Sequence, residues 1–124
     1  MFARRPLLIG IGALLLGMLA GTASAHHGWR WAEDGNFELT GVVTEVQLGN
    51  PHGILTLDAD GESWTVEVGQ PWRNERAGLS DDMLVPGVEL TASGARHADQ
   101  AEKVLKAERI IIDGTTYHLY PDRD

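Results

Sequence analysis

The sequence contains no cysteine. Disulfides, thiolate metal sites and a cysteine nucleophile are therefore closed to it, and no lipid-modified cysteine can follow its apolar leader. Positive charge is scarce too, with ten Lys and Arg against eighteen Asp and Glu, a net charge of −8. Such a surface repels phosphate backbones and anionic lipid heads and favours cations, basic peptides or a basic partner. Neither a Gly-x-Ser-x-Gly elbow nor a His-Glu-x-x-His helix occurs, and no carboxylate spacing singles out an acid–base pair. Low-complexity runs and internal repeats are also missing. These absences argue against a nucleophilic enzyme and against nucleic-acid binding. They leave a non-enzymatic binding module.

The longest apolar stretch, within residues 6–20, falls short of the roughly 20 residues a membrane span needs. Arg4 and Arg5 precede it, and Ala23-Ser24-Ala25 ends it with small residues where a signal peptidase reads them. This predicts a cleaved signal peptide over residues 1–25 and a periplasmic protein. A retained membrane anchor is the alternative, but a small-residue exit rather than a positive stop follows the stretch. The Arg4-Arg5 pair leaves the export route open between the general and twin-arginine pathways. A cut after Ala25 leaves 99 residues, enough for one domain, and takes the net charge from −8 to −10. A chain of that size buries a core without disulfides.

Residues 26–37 read as an amino-terminal arm carrying Trp29, Trp31 and Phe37, aromatics expected to lie against the domain. The domain itself spans 38–120, with a tail at 121–124. Residues 38–48 form a first strand whose apolar phase passes from Leu39 and Val43 to Val46 and Leu48, which predicts a bulge or bend eased by Gly41. Gly49-Asn50-Pro51-His52-Gly53 is a turn. A second strand at 54–58 and a third at 63–68 flank the hairpin signal Asp60-Gly61; Trp64, Val66 and Val68 share the inward face. Pro71 and Gly78 bracket a short helix, with Trp72 expected on the sheet and Arg73, Glu75 and Arg76 solvated. Ser80 suits the cap of a further turn. Residues 88–93 alternate as a fourth strand, 95–101 form a polar loop with His97, and 104–112 form a fifth strand leading through Asp113-Gly114 to 116–120. The order is all-β, a small five-stranded OB-like barrel with one short helix between strands three and four. An open β-sandwich is the other architecture of this size.

His26-His27-Gly28-Trp29, the Asn50-Pro51-His52 turn, the Trp64 strand and Leu84-Val85-Pro86-Gly87 together resemble an exported bacterial family known only as a domain of unknown function, DUF6152. The resemblance runs from the cleavage site to the last strand. The family start reads His-His-Ser-Phe, so Gly28 and Trp29 depart from it. The resemblance implies export and the fold, and no activity.

Cleavage after Ala25 would make His26 the first residue. A first-residue histidine chelates Cu(II) through its amine and its own ring, and nitrogen ligands suit that ion. Since His27 points away from His26 in an extended arm, the third nitrogen is expected from His52, with His27 in reserve. Against this stands a plainer reading, in which all three are solvated or hydrogen-bonded histidines. His97, in a polar loop, and His118, near the chain end, read as surface residues. The alternative function is an acidic adaptor whose barrel face binds a cationic ligand or an exported partner protein.

Overall fold

The computed structural model describes Ala32 and residues 37–123. The expected signal peptide and most of the arm, His26 and His27 among them, lie outside the described residues. Six strands follow in order: β1 (Phe37–Gln47), β2 (Ile54–Ala59), β3 (Glu62–Glu67), β4 (Glu89–Arg96), β5 (Val104–Ile112) and β6 (Thr115–His118). The helix α1 (Pro71–Arg76) stands between β3 and β4, and 3-10 turns occupy Asp81–Met83 and Pro121–Arg123. The sheet order is β3-β2-β1-β4-β5-β6, and a parallel pairing of β3 with β5 (Thr65 with Val104 to Glu67 with Lys106) closes it. The result is a closed five-stranded OB-like barrel with β6 as a hairpin extension of β5.

One long strand serves both halves. The first half of β1, Phe37 to Val42, pairs with β4, and its second half, Val42 to Gln47, pairs with β2. The bulge that turns it falls between Val43 and Glu45, after Gly41 rather than at it. Gly41 has a different task, because a Cβ there would stand 2.6 Å from the Asp58 carbonyl oxygen. Only a glycine lets the two strands approach so closely.

Alternation builds the core. Trp64, Val66 and Val68 are buried from β3 and the residue following it, and Leu55, Leu57 and Ala59 face them from β2. Leu39, Val43, Leu90, Ala92, Leu105 and Ile110 complete the barrel interior, while Val46 and Leu48 pack against it partly buried. Both hairpins form where Asp-Gly pairs stand, with Asp60 and Asp113 at positive φ. β4 continues to Arg96 past a second bulge, where Glu108 of β5 stands unmatched between the partners of Ser93 and Gly94, so the loop around His97 is shorter than the sequence suggests.

The helix begins and ends as its punctuation implies, with Pro71 in its first turn and Gly78 left-handed just beyond it. Its packing reverses the expectation. Trp72 is 50% exposed, and Arg73 takes the inward place instead. A six-residue helix shows little more than one turn to the sheet, and the long aliphatic stem of an arginine covers that surface as well as an indole does. Ser80 stands in the cap position of the next turn, but its hydroxyl donates to the Asp82 carboxylate rather than to the backbone. The expected tail is also folded, since Pro121–Arg123 form a turn whose Arg123 Nε donates to Glu108 Oε1 at 3.1 Å.

Candidate functional site

The Asn50-Pro51-His52 turn joins β1 to β2 at the end of the barrel where β3 also finishes. Its Asn50–Pro51 bond is cis. Gly53 ties the turn to the segment after β3, its N–H donating to Gly69 O at 3.1 Å and its carbonyl accepting from Val68 N–H at 2.8 Å. Asn74 of α1, 3% exposed, then clamps Gly69 from both sides: its Oδ1 accepts Gly69 N–H (2.9 Å) and its Nδ2 donates to Gly69 O (3.0 Å). Helix, turn and third strand thus hold one another through a buried amide. Sequence reasoning passed over Asn74; a lone Asn inside a polar helix carries no periodic signal.

His52 itself is half-buried, and its buried Nδ1 has no hydrogen-bond partner among the described residues. The other histidines differ. His97 Nδ1 accepts the Asp99 N–H at 3.0 Å, and the His97 N–H donates to Val104 O at 2.8 Å. His118 is exposed on β6 opposite Arg109. His52, His97 and His118 are therefore not brought together, and among the described residues no group of three His, Asp or Glu is placed to hold a metal. The arm reaches the barrel at Ala32, in an isolated antiparallel bridge to His97, by the start of β1. Near that entry the Phe37 and Trp64 rings stack 5.6 Å apart, with the Arg96 guanidinium over both.

A second constellation lies where α1 meets the end of the chain. The Arg73 guanidinium lies over two rings, 4.5 Å from that of Trp72 and 4.2 Å from that of Tyr120, and its Nη1 donates to Leu119 O at 3.1 Å. Beneath it, Lys106 is 2% exposed, with Nζ 3.9 Å from Glu67 Oε2. Burial pushes the Lys106 amine below its usual pKa; Glu67 opposes the shift, and Arg123 and Arg73 add to it. Burial pushes the Tyr120 hydroxyl up, with Arg73 and Arg123 opposing and Glu67 adding. Beside this cluster a cleft of about 300 Å³ is lined by Arg73, Arg76, His118 and Asp122 over Ala77, Leu119 and Pro121. In a chain poor in cations, this cluster was not visible in the sequence, because Arg73 and Tyr120 lie far apart along it and meet only on closure.

Over residues 14–105 the chain matches the model of the family of unknown function DUF6152. It belongs to that family. The match covers the Asn50-Pro51-His52 turn, the barrel strands up to the start of β5, and α1. No curated protein matches this DUF6152 chain in sequence. Among solved structures, the Stn1–Ten1 complex of S. pombe is similar at TM-score 0.50 and 15% identity, over 62% of this chain and 57% of that one. The tRNA agmatidine synthetase TiaS, in complex with tRNA, AMPCPP and agmatine, is similar at TM-score 0.48 and 20% identity, over 62% of this chain but only 18% of that one. A ZRD-deleted TiaS mutant in complex with agmatine gives TM-score 0.48 at 18% identity, over 68% and 26%. At such identities the likeness concerns the fold, and fold does not supply function.

Proposed function

We propose that this DUF6152 protein is a non-enzymatic periplasmic binding module that holds Cu(II) at its mature amino terminus. The amine and ring of His26 supply two nitrogens and His52 supplies the third, with His27 in reserve. One observation carries the reading. Among the described residues, the buried His52 Nδ1 has no hydrogen-bond partner, whereas His97 Nδ1 accepts a backbone N–H. An unpartnered buried nitrogen costs free energy unless something comes to it, and a metal bound to the folded arm meets that need. His26 stands six positions before Ala32, a span that reaches up to about 20 Å when extended.

The amine, with an ordinary pKa of about 7.7–8.0, must lose its proton to bind, so affinity falls as the solution is acidified. Titration of exported, correctly cleaved protein with Cu(II), followed by electron paramagnetic resonance, tests the reading. A Met added before His26 moves the chelating amine away and weakens binding by about tenfold or more, as loss of one ligand from a chelate does. His52→Ala weakens it too and changes the nitrogen pattern in the spectrum; His118→Ala does neither. If His52→Ala leaves affinity and spectrum unaltered, the histidines act only as a peptide. If the native terminus binds no better than the Met-extended one, the reading fails, and an acidic adaptor for a cationic ligand or an exported partner takes its place.

A further inference from the structure

We infer that the cleft between α1 and β6 binds a short-chain carboxylate, at a site separate from the proposed copper centre. The argument begins with how Arg73 is held. Its guanidinium lies over two rings, those of Trp72 at 4.5 Å and Tyr120 at 4.2 Å, and Leu119 O takes one of its in-plane donors. Among the described residues the donors on Nε and Nη2 have no acceptor. A guanidinium donates only in its own plane, and here the Nε–H and Nη2–H directions are the ones left open. A planar pair of oxygens, the carboxylate, matches that requirement with two parallel bonds. Holding the guanidinium beforehand also removes most of the side-chain entropy that binding would otherwise cost.

The surroundings agree. Arg76, one helical turn on from Arg73, lines the same cleft and forms no ion pair among the described residues, so its charge is available to an incoming anion. Arg123 nearby is held by the Glu108 carboxylate at 3.1 Å, so Arg73 and Arg76 are the arginines that line the cleft itself. Leu119, Ala77 and Pro121 give the cleft an apolar floor, and a volume of about 300 Å³ is at the small end of ligand pockets. Asp122 is the one carboxylate in the lining and sets a limit. It repels an anion, so the ligand's carboxylate lies at the Arg73–Arg76 side, with the remainder of a short chain over Leu119.

The test uses metal-free mature protein and sodium succinate as the probe, read by the Trp72 indole and Arg73 Nε–H resonances in nitrogen–proton correlation spectra. Succinate shifts both resonances saturably in the millimolar range. Arg76→Gln, at an exposed position, weakens binding by about three- to tenfold, as loss of one charged partner does. Asp122→Asn tightens it by about threefold. Lys103→Gln, on the Trp64 side of the barrel, leaves it unchanged. The inference is overturned if no saturation occurs, if Lys103→Gln weakens binding as much as Arg76→Gln, or if Asp122→Asn weakens it. It is also overturned as a carboxylate site if inorganic phosphate shifts the same resonances with equal affinity, because the cleft would then read charge alone.

Discussion

Strands β3 and β5 lie side by side in parallel register, yet their outward faces have opposite fates. On β3 the outward Thr65 and Glu67 are half-buried and Ser63 is exposed, so the strand alternates between core and water. On β5 the outward Lys106 and Glu108 are as buried as the inward Leu105 and Ala107. The cover over β5 comes from the end of the chain. The Glu108 carbonyl accepts N–H groups from Leu119 (2.8 Å) and Tyr120 (3.2 Å), and its carboxylate holds Arg123 at 3.1 Å and Arg109 at 3.6 Å. On the other side β5 bulges at Glu108, between the partners of Ser93 and Gly94, and Gly94 permits the close approach, since a Cβ there would come within 2.2 Å of Lys106 O. The barrel therefore has an apolar core of ordinary kind and a second, polar layer outside one strand. The cleft sits at the edge of that layer, where charged side chains are held in fixed places.

The comparison breaks most completely at the shared core. Val66 is fully buried beside Leu105, and Val66→Asp places an unpaired carboxylate there at a cost of several kcal/mol, comparable to the about 5–15 kcal/mol that holds a small domain together. No cooperative thermal transition is expected for this variant; a melt like the parent's shows that the two strands do not share one core. Next comes the polar layer. Glu108→Gln removes the charge that Arg109 and Arg123 share and costs about 2–3 kcal/mol in urea unfolding, with loss of dispersion first at the amides of 119–123. A loss below about 0.5 kcal/mol reduces that layer to a surface feature.

Lys106→Met has the smallest effect at neutral pH, from neutral to slightly stabilising, because the desolvation of the amine offsets its attraction to Glu67. The sign with pH follows from the lowered pKa. Between the folded value and the unfolded 10.5, the unfolded chain binds the proton and the folded chain does not, so raising the pH relieves the folded state. Any advantage of the Met variant should thus shrink as pH approaches 10.5. An advantage that stays constant or grows places the amine in contact with water.

Much of the barrel was legible because period-two alternation and Asp-Gly or Pro-x-Gly punctuation are local signals. Ser63 to Val68 alternates within six residues, and each Asp-Gly pair turns the chain by its own backbone preference. Trp72 was misread for a related reason: hydrophobicity alone placed it inward, while only the assembled corner offered Arg73 two rings and the Leu119 carbonyl. The role of Asn74 depended likewise on Gly69 arriving beside the helix. For the histidines, spacing singled out the pair at 26 and 27 and the turn at 52, but it carried no sign that the His52 Nδ1 would be buried with no partner among the described residues.

By itself, the order of residues determined the all-β class, the short helix between β3 and β4, the inward faces and the absence of thiol chemistry. These rest on side-chain period, turn chemistry and composition, which act over a few residues. Only the tertiary structure decided the parallel closure of β3 on β5, the burial of Lys106 and Glu108, and the meetings of Arg73 with Tyr120 and of Arg123 with Glu108. Those contacts join segments distant along the chain, and their energies come into being only when closure removes water between them.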